Sequence, residues 1–145
     1  MTSPSLSPAA LMHATCVAVS GRGVLILGPS GAGKSALGLD LMALGAELVA
    51  DDQTELTLHG TRVIARCPPP LRGLIEARGV GILTAPPLEE ADIVLVVDLA
   101  QPEPDRLPPQ RKRALLGQQI DLVLGQGNPH LSSSVLRYLM GARQA

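Results

Sequence analysis

The chain has 145 residues, a formal net charge of −1 and a 46% hydrophobic composition. That length suffices for one core, the apolar content excludes disorder over most of the chain, and the near-neutral charge argues against nucleic-acid binding as the main role. Two cysteines make no disulfide framework, the first residues lack the basic flank and apolar stretch of a signal peptide, and no apolar run approaches the ~20 residues that span a bilayer, so a cytoplasmic protein without a membrane partner is expected.

Residues 1–10 contain two Ser-Pro steps and read as a flexible N-terminal tail, leaving residues 11–145 as a single domain. Residues 15–20 read as a short strand, which Ser20-Gly21-Arg22-Gly23 turns into the apolar run Gly23-Val24-Leu25-Ile26-Leu27. Next comes Gly28-Pro29-Ser30-Gly31-Ala32-Gly33-Lys34-Ser35, which fits G-x-x-x-x-G-K-[ST]. Residues 34–44 follow with Leu37, Leu41 and Leu44 at helical spacing, and Gly45 stops the helix. Residues 47–50 form a short strand ending at Asp51-Asp52, and residues 55–58 and 62–66 form a hairpin around His59-Gly60. Three prolines make residues 67–70 a rigid loop. Residues 93–99, apolar except for Asp98, read as a central buried strand, and residues 101–110, with four prolines, are a surface loop. Residues 120–124 read as the last strand. A Gly-rich turn over 125–129 and a closing helix over 132–140, with Val135, Leu136 and Leu139 on one face, complete an α/β domain with a mixed sheet and flanking helices.

The strand-to-helix setting of residues 28–35 gives that motif its chemistry. Glycines let successive backbone N–H groups turn inward as an anion nest, and the helix N-terminus adds its positive dipole end. Lys34 reaches the outer phosphates, and the Ser35 hydroxyl is placed to ligate Mg²⁺. Tyr138 is the one aromatic residue, so a purine base has little to stack on and the grip falls on phosphate. Cys16 and Cys67 read as small buried hydrophobes.

Asp51 and Asp52 end a strand, and in α/β sheets the C-terminal ends of strands converge on the ligand crevice. One carboxylate can hold Mg²⁺ while the other takes a proton from an attacking hydroxyl. Successive strand residues point to opposite faces, so both reach the site only if the chain is already turning. In Leu74-Ile75-Glu76-Ala77-Arg78-Gly79-Val80-Gly81-Ile82 the residues by themselves read as a surface loop with a Glu–Arg pair, able to face metal or phosphate.

Taken together, His13, the phosphate loop with Gly-Val-Leu-Ile before it, Leu48-Val49-Ala50-Asp51-Asp52 and Ile75-Glu76-Ala77-Arg78-Gly79-Val80-Gly81-Ile82 resemble the catalytic domain of HPr kinase/phosphorylase in order and spacing. The resemblance covers residues 11–100 and implies a short form made of the C-terminal catalytic domain. Its fold is that of a P-loop kinase domain similar to the nucleotide-binding core of phosphoenolpyruvate carboxykinase. The implied activity is Mg²⁺- and ATP-dependent phosphorylation of a serine on HPr, the phosphocarrier of the sugar phosphotransferase system that regulates carbon metabolism. The implied reverse reaction removes that phosphate with inorganic phosphate, giving pyrophosphate. The resemblance assigns the phosphates to residues 28–35, the metal to Ser35, Glu76 and Asp52, and the base to Asp51, with the order of the two aspartates left open. It gives Arg78 a phosphate contact or a hold on Glu76, and places His13 close to the loop. The family's hexamers make a homo-oligomer compatible with this chain.

Two stretches depart from the family pattern. The loop after Ile82 usually carries basic residues, whereas Thr84-Ala85-Pro86-Pro87-Leu88-Glu89-Glu90 is short and acidic. The Arg-rich turn before the closing helices is replaced by Gln126-Gly127-Asn128-Pro129. Both losses bear on the phosphorylase direction and on HPr as acceptor. Two other readings stand beside this one. A shikimate-kinase-like small-molecule kinase would use residues 106–113 as a cationic lid, and a non-catalytic ATP-binding signalling module would bind without turnover.

Overall fold

The computed structural model describes residues 9–141 and 143–144. In chain order the strands are β1 (Ala9–Met12), β2 (Thr15–Val19) and β3 (Arg22–Leu27), followed by helix α1 (Lys34–Ala43). Then come β4 (Glu47–Ala50), β5 (Thr54–His59), β6 (Arg62–Arg66), β7 (Leu74–Ala77), β8 (Gly81–Thr84) and β9 (Ala91–Asp98). The described residues close with β10 (Lys112–Leu115), β11 (Gln118–Leu124) and helix α2 (Leu131–Gly141).

The two most apolar stretches pair at the centre. β3 and β9 run parallel, with Leu25 opposite Val96 and Ile26 opposite Val97, all four fully buried. Strands covered on both faces need continuous apolar runs rather than alternation. From this pair the sheet extends in the order β1-β5-β6-β9-β3-β2-β4. The second edge of β9 is shared, with β6 antiparallel at Ala91 and Asp92 and β11 parallel from Leu95 to Asp98. The sheet is therefore mixed, as expected.

Alternation along β3 divides the core in two. Val24 and Ile26 face Leu37 and Leu41 of α1 and Val135 and Leu139 of α2, so both helices lie against one face. Leu25 and Leu27 face the other way, toward Leu56, Val63 and Leu115. Aliphatic side chains fill both sides.

Three elements depart from the sequence expectations. β1 begins at Ala9, inside the segment read as a tail, because Ala9 and Ala10 pair with Thr57 and Leu56 of β5; residues 1–8 lie outside the described residues. The stretch read as a surface loop at 74–82 is a two-stranded ribbon, β7 with β8, separate from the main sheet. β10 was hidden behind the proline-rich loop. Its hairpin with β11 turns on Leu116 and Gly117, both at positive φ, and Leu-Gly is a weaker turn signal than Asn-Gly. Residues 106–113 do not form a lid: Arg111 is held by Glu103 at 2.8 Å, and Lys112 and Arg113 are already in β10.

Tyr138 donates from α2 to the Asp121 carboxylate on β11, which also pairs with Lys112, so the single aromatic residue ties the last helix to the sheet and lies away from the main cleft. The Lys112 ammonium, and after it the Tyr138 hydroxyl, hold the Asp121 carboxyl below the usual carboxylate range. Such a depressed carboxyl adds stability that is present above its unfolded pKa of about 3.9 and is lost as pH falls through the folded value. The gap in Tm between the parent and Asp121→Asn is thus expected to be steady above about pH 5 and to shrink below about pH 4. Melting curves across that range check this, and a gap that widened in acid would refute it. Cys16 and Cys67 are both buried, and burial pushes both thiols up, which fits their reading as packing residues.

Candidate active site

The loop 28–35 leaves the C-terminal end of β3 and enters α1. Gly33 sits at the helix start with φ 99°, a left-handed conformation that costs glycine little. No side chain caps this end of α1, so its first N–H groups remain for an anion, as a phosphate site requires. Lys34 is only 7% exposed. Its ammonium bridges the loop, donating to the Gly28 carbonyl at 2.8 Å and the Pro29 carbonyl at 3.1 Å.

Beside the loop lies a cleft of about 590 Å³, lined by His13, Ser30, Gly31, Lys34, Ser35, Asp51, Asp52, Glu76 and Arg78 among others. Nearly every candidate residue from the sequence therefore meets in one place, although four separate segments supply them. Gly28, Pro29 and Ala32 belong to the loop without lining the cleft. Arg78 reaches over from the β7–β8 ribbon, its Nη2 3.8 Å from where a Cβ would sit on Gly31.

The two aspartates have different surroundings. Asp51 is 6% exposed and held by three donors. Its Oδ1 accepts from the Ser35 hydroxyl and the Thr15 hydroxyl, each at 2.7 Å, and its Oδ2 accepts from the Glu76 N–H at 2.9 Å. Asp52 is exposed, and its Oδ1 lies 3.0 Å from His13 Nε2. A tight turn separates them: the Gln53 N–H donates to the Asp51 carbonyl at 2.8 Å across Asp52, whose φ is 68°. This left-handed γ-turn is uncommon for a residue with a side chain, and such backbone strain clusters at functional sites. It supplies the turning that both carboxylates need to reach one cleft.

These contacts reverse part of the expectation. Asp51, not Asp52, faces Ser35, while Asp52 is turned out toward His13. Glu76 borders the cleft and reaches Asp51 through its backbone N–H. No group of three His, Cys, Asp or Glu side chains forms a metal cluster among the described residues. The adjoining Ser35 hydroxyl and Asp51 carboxylate nevertheless suit Mg²⁺, a hard cation that takes few protein oxygens and completes its shell with water and phosphate. Thr15 was missed by sequence reasoning. Its position depends on a β-bulge: Val17 pairs with Leu48 but Cys16 with Ala50, so the next residue, Thr15, falls opposite Asp51.

A family model for the HPr Serine kinase C-terminal domain matches residues 4–113. The chain belongs to that family. Among curated relatives, HPr kinase/phosphorylase of Burkholderia lata is 46% identical over 79 residues, which is 54% of this chain and 24% of that protein. HPr kinase/phosphorylase of Cupriavidus necator is 47% identical over 78 residues, 53% of this chain and again 24% of the relative. The matched stretch thus spans about a quarter of the curated relatives. A solved structure, the Hpr(Ser) kinase/phosphatase from Coxiella burnetii, superposes with a TM-score of 0.77 at 27% identity, covering 90% of this chain and 94% of that one. The family match includes β1 through the start of β10 and so every residue placed in the cleft. No helix among the described residues is long and apolar enough to cross a membrane.

Proposed function

We propose that this chain is the catalytic core of a protein serine kinase that transfers the γ-phosphate of ATP, with Mg²⁺, to HPr or a related phosphocarrier. A fold akin to the nucleotide-binding core of phosphoenolpyruvate carboxykinase, a cytoplasmic location and a homo-oligomeric state belong to the same proposal. The observation that carries it is the split between the two aspartates beside an uncapped phosphate loop. A buried acceptor, Asp51, organises Ser35; an exposed one, Asp52, looks into the cleft.

In this reading the α1 N-terminus and the 28–35 amides receive the phosphates, and the Lys34 ammonium balances their outer charge. Bound Mg²⁺ would neutralise charge building on the transferring group, with Ser35 and Asp51 holding it. Asp52, rather than Asp51, takes the proton from the acceptor serine hydroxyl as its oxygen attacks phosphorus and the bond to ADP breaks. A general base has to meet substrate, and the Asp51 carboxylate is buried and already accepts from three protein donors. His13 steadies the Asp52 carboxylate through the 3.0 Å contact. Among the described residues, Lys34 and Arg78 are the only lysine or arginine lining the cleft. We therefore assign the forward, kinase direction, which needs less positive charge than holding inorganic phosphate beside a phosphoserine.

The test is transfer of labelled γ-phosphate from Mg–ATP to purified HPr, with mass spectrometry locating the acceptor residue. Seryl phosphate that disappears with Lys34→Ala supports the proposal. Measurable Mg–ATP binding without transfer to HPr would sink the assigned acceptor and favour another substrate or a binding module.

A further inference from the structure

We infer that Thr15 is a positioning residue for the magnesium side of the site, acting through Asp51 rather than on substrate. This rests on the reading above, in which Ser35 and Asp51 serve a Mg–nucleotide.

Thr15 is fully buried at the start of β2, and its hydroxyl donates to Asp51 Oδ1 at 2.7 Å. The same oxygen takes the Ser35 hydroxyl at 2.7 Å. The two donors approach from different elements, Thr15 from the sheet and Ser35 from α1. While Ser35 spends its proton on Asp51, its lone pairs are free to face the cleft; that arrangement holds only if Oδ1 stays where it is. Thr15 is what keeps it there from the buried side, since the remaining carboxylate contact, the Glu76 N–H, acts on the other oxygen.

The methyl group of Thr15 has a second function. Its Cγ2 lies 3.0 Å from where a Cβ would sit on Gly38, so α1 approaches β2 at that point because residue 38 has no side chain. One residue therefore sets both the height of the phosphate-loop helix and the position of the buried carboxylate. Valine would keep the methyl packing and lose only the hydroxyl. Serine would keep the hydroxyl and lose only the methyl.

The two substitutions separate chemistry from packing. In calorimetric titrations of ATP, Thr15→Val is expected to bind with near-parental affinity in EDTA. The Mg²⁺ concentration for half-maximal enhancement of binding should rise about 10-fold, in the range seen when partners of metal ligands are removed. Thr15→Ser should restore the parental Mg²⁺ requirement. Should the valine variant not fold, Thr15→Cys, smaller and with only a weak S–H donor, carries the same expectation as valine. An unchanged Mg²⁺ requirement in Thr15→Val or Thr15→Cys overturns the inference, and so does a serine variant as impaired as valine. A parental protein whose ATP affinity ignores Mg²⁺ instead overturns the reading of the site itself, and this inference with it.

Discussion

Asp52→Asn is expected to lower phosphate transfer to HPr by about 10²–10⁴-fold, the range for loss of a general base. ATP affinity should stay within about threefold, because the Asp52 side chain bonds to His13 and the loop contacts of Lys34 are untouched. The asparagine is close to isosteric and sits on an exposed turn, so Tm should hardly move. Single-turnover transfer, isothermal binding and a melting curve on the same preparation check all three parts. Transfer within tenfold of the parent would remove Asp52 from the role of base. Loss of ATP binding in step with transfer would place it on the nucleotide instead.

Asp51→Ala should behave in the opposite manner, with its main effects on stability and on Mg²⁺ dependence. The substitution leaves the buried Thr15 hydroxyl, and the part-buried Ser35 hydroxyl and Glu76 N–H, without their acceptor. Orphaned buried donors cost about 1–3 kcal/mol each before water or rotation relieves them, which puts the net loss at about 2–4 kcal/mol. For a domain of this size that is a fall in Tm of about 5–15 °C. Calorimetry and ATP binding with and without Mg²⁺ are the measurements. A variant that melted within about 2 °C of the parent would show that the carboxylate is not the structural centre of the site. Asp51→Asn is the milder companion. Its amide can satisfy Glu76 N–H with the oxygen only by turning the NH₂ toward Ser35 and Thr15, which makes Ser35 accept and points its lone pair away from the cleft. It should keep more of the stability than alanine and still lose the Mg²⁺ response.

The phosphate loop was legible because its chemistry is local. Glycines, lysine and serine act through backbone conformation and a helix end within eight consecutive residues, and the flanking apolar run and Leu37–Leu41 spacing place them between β3 and α1. Residues 93–97 were legible for a related reason, since the middle of a strand covered on both faces is a continuous apolar run. The β7–β8 ribbon was not. All four residues of β8 are exposed, so no burial pattern marks it, and its pairing with β7 is carried by backbone hydrogen bonds that any sequence can make. β1 and β10 were missed on the same ground: both are short edge strands whose place comes from a neighbour rather than from their own composition.

The division of labour between Asp51 and Asp52 marks the boundary most clearly. Sequence by itself determined that two carboxylates follow a strand and that a phosphate loop precedes them; Glu76 and Arg78 joined them only through the family resemblance. It left the order of the pair open, because adjacent residues are chemically identical until a backbone turn and a neighbour distinguish them. Only the tertiary structure decided which of them is buried against Ser35 and Thr15 and which is exposed beside His13, through the γ-turn at Asp52 and the β-bulge that sets Thr15 against Asp51. A bulge is one extra residue in a ladder, set by how two strands pair across 34 positions of chain from Cys16 to Ala50, and nothing in either strand alone records it. Burial then makes the difference chemical: one carboxylate is held by three protein donors, and its neighbour is exposed beside His13 at the cleft.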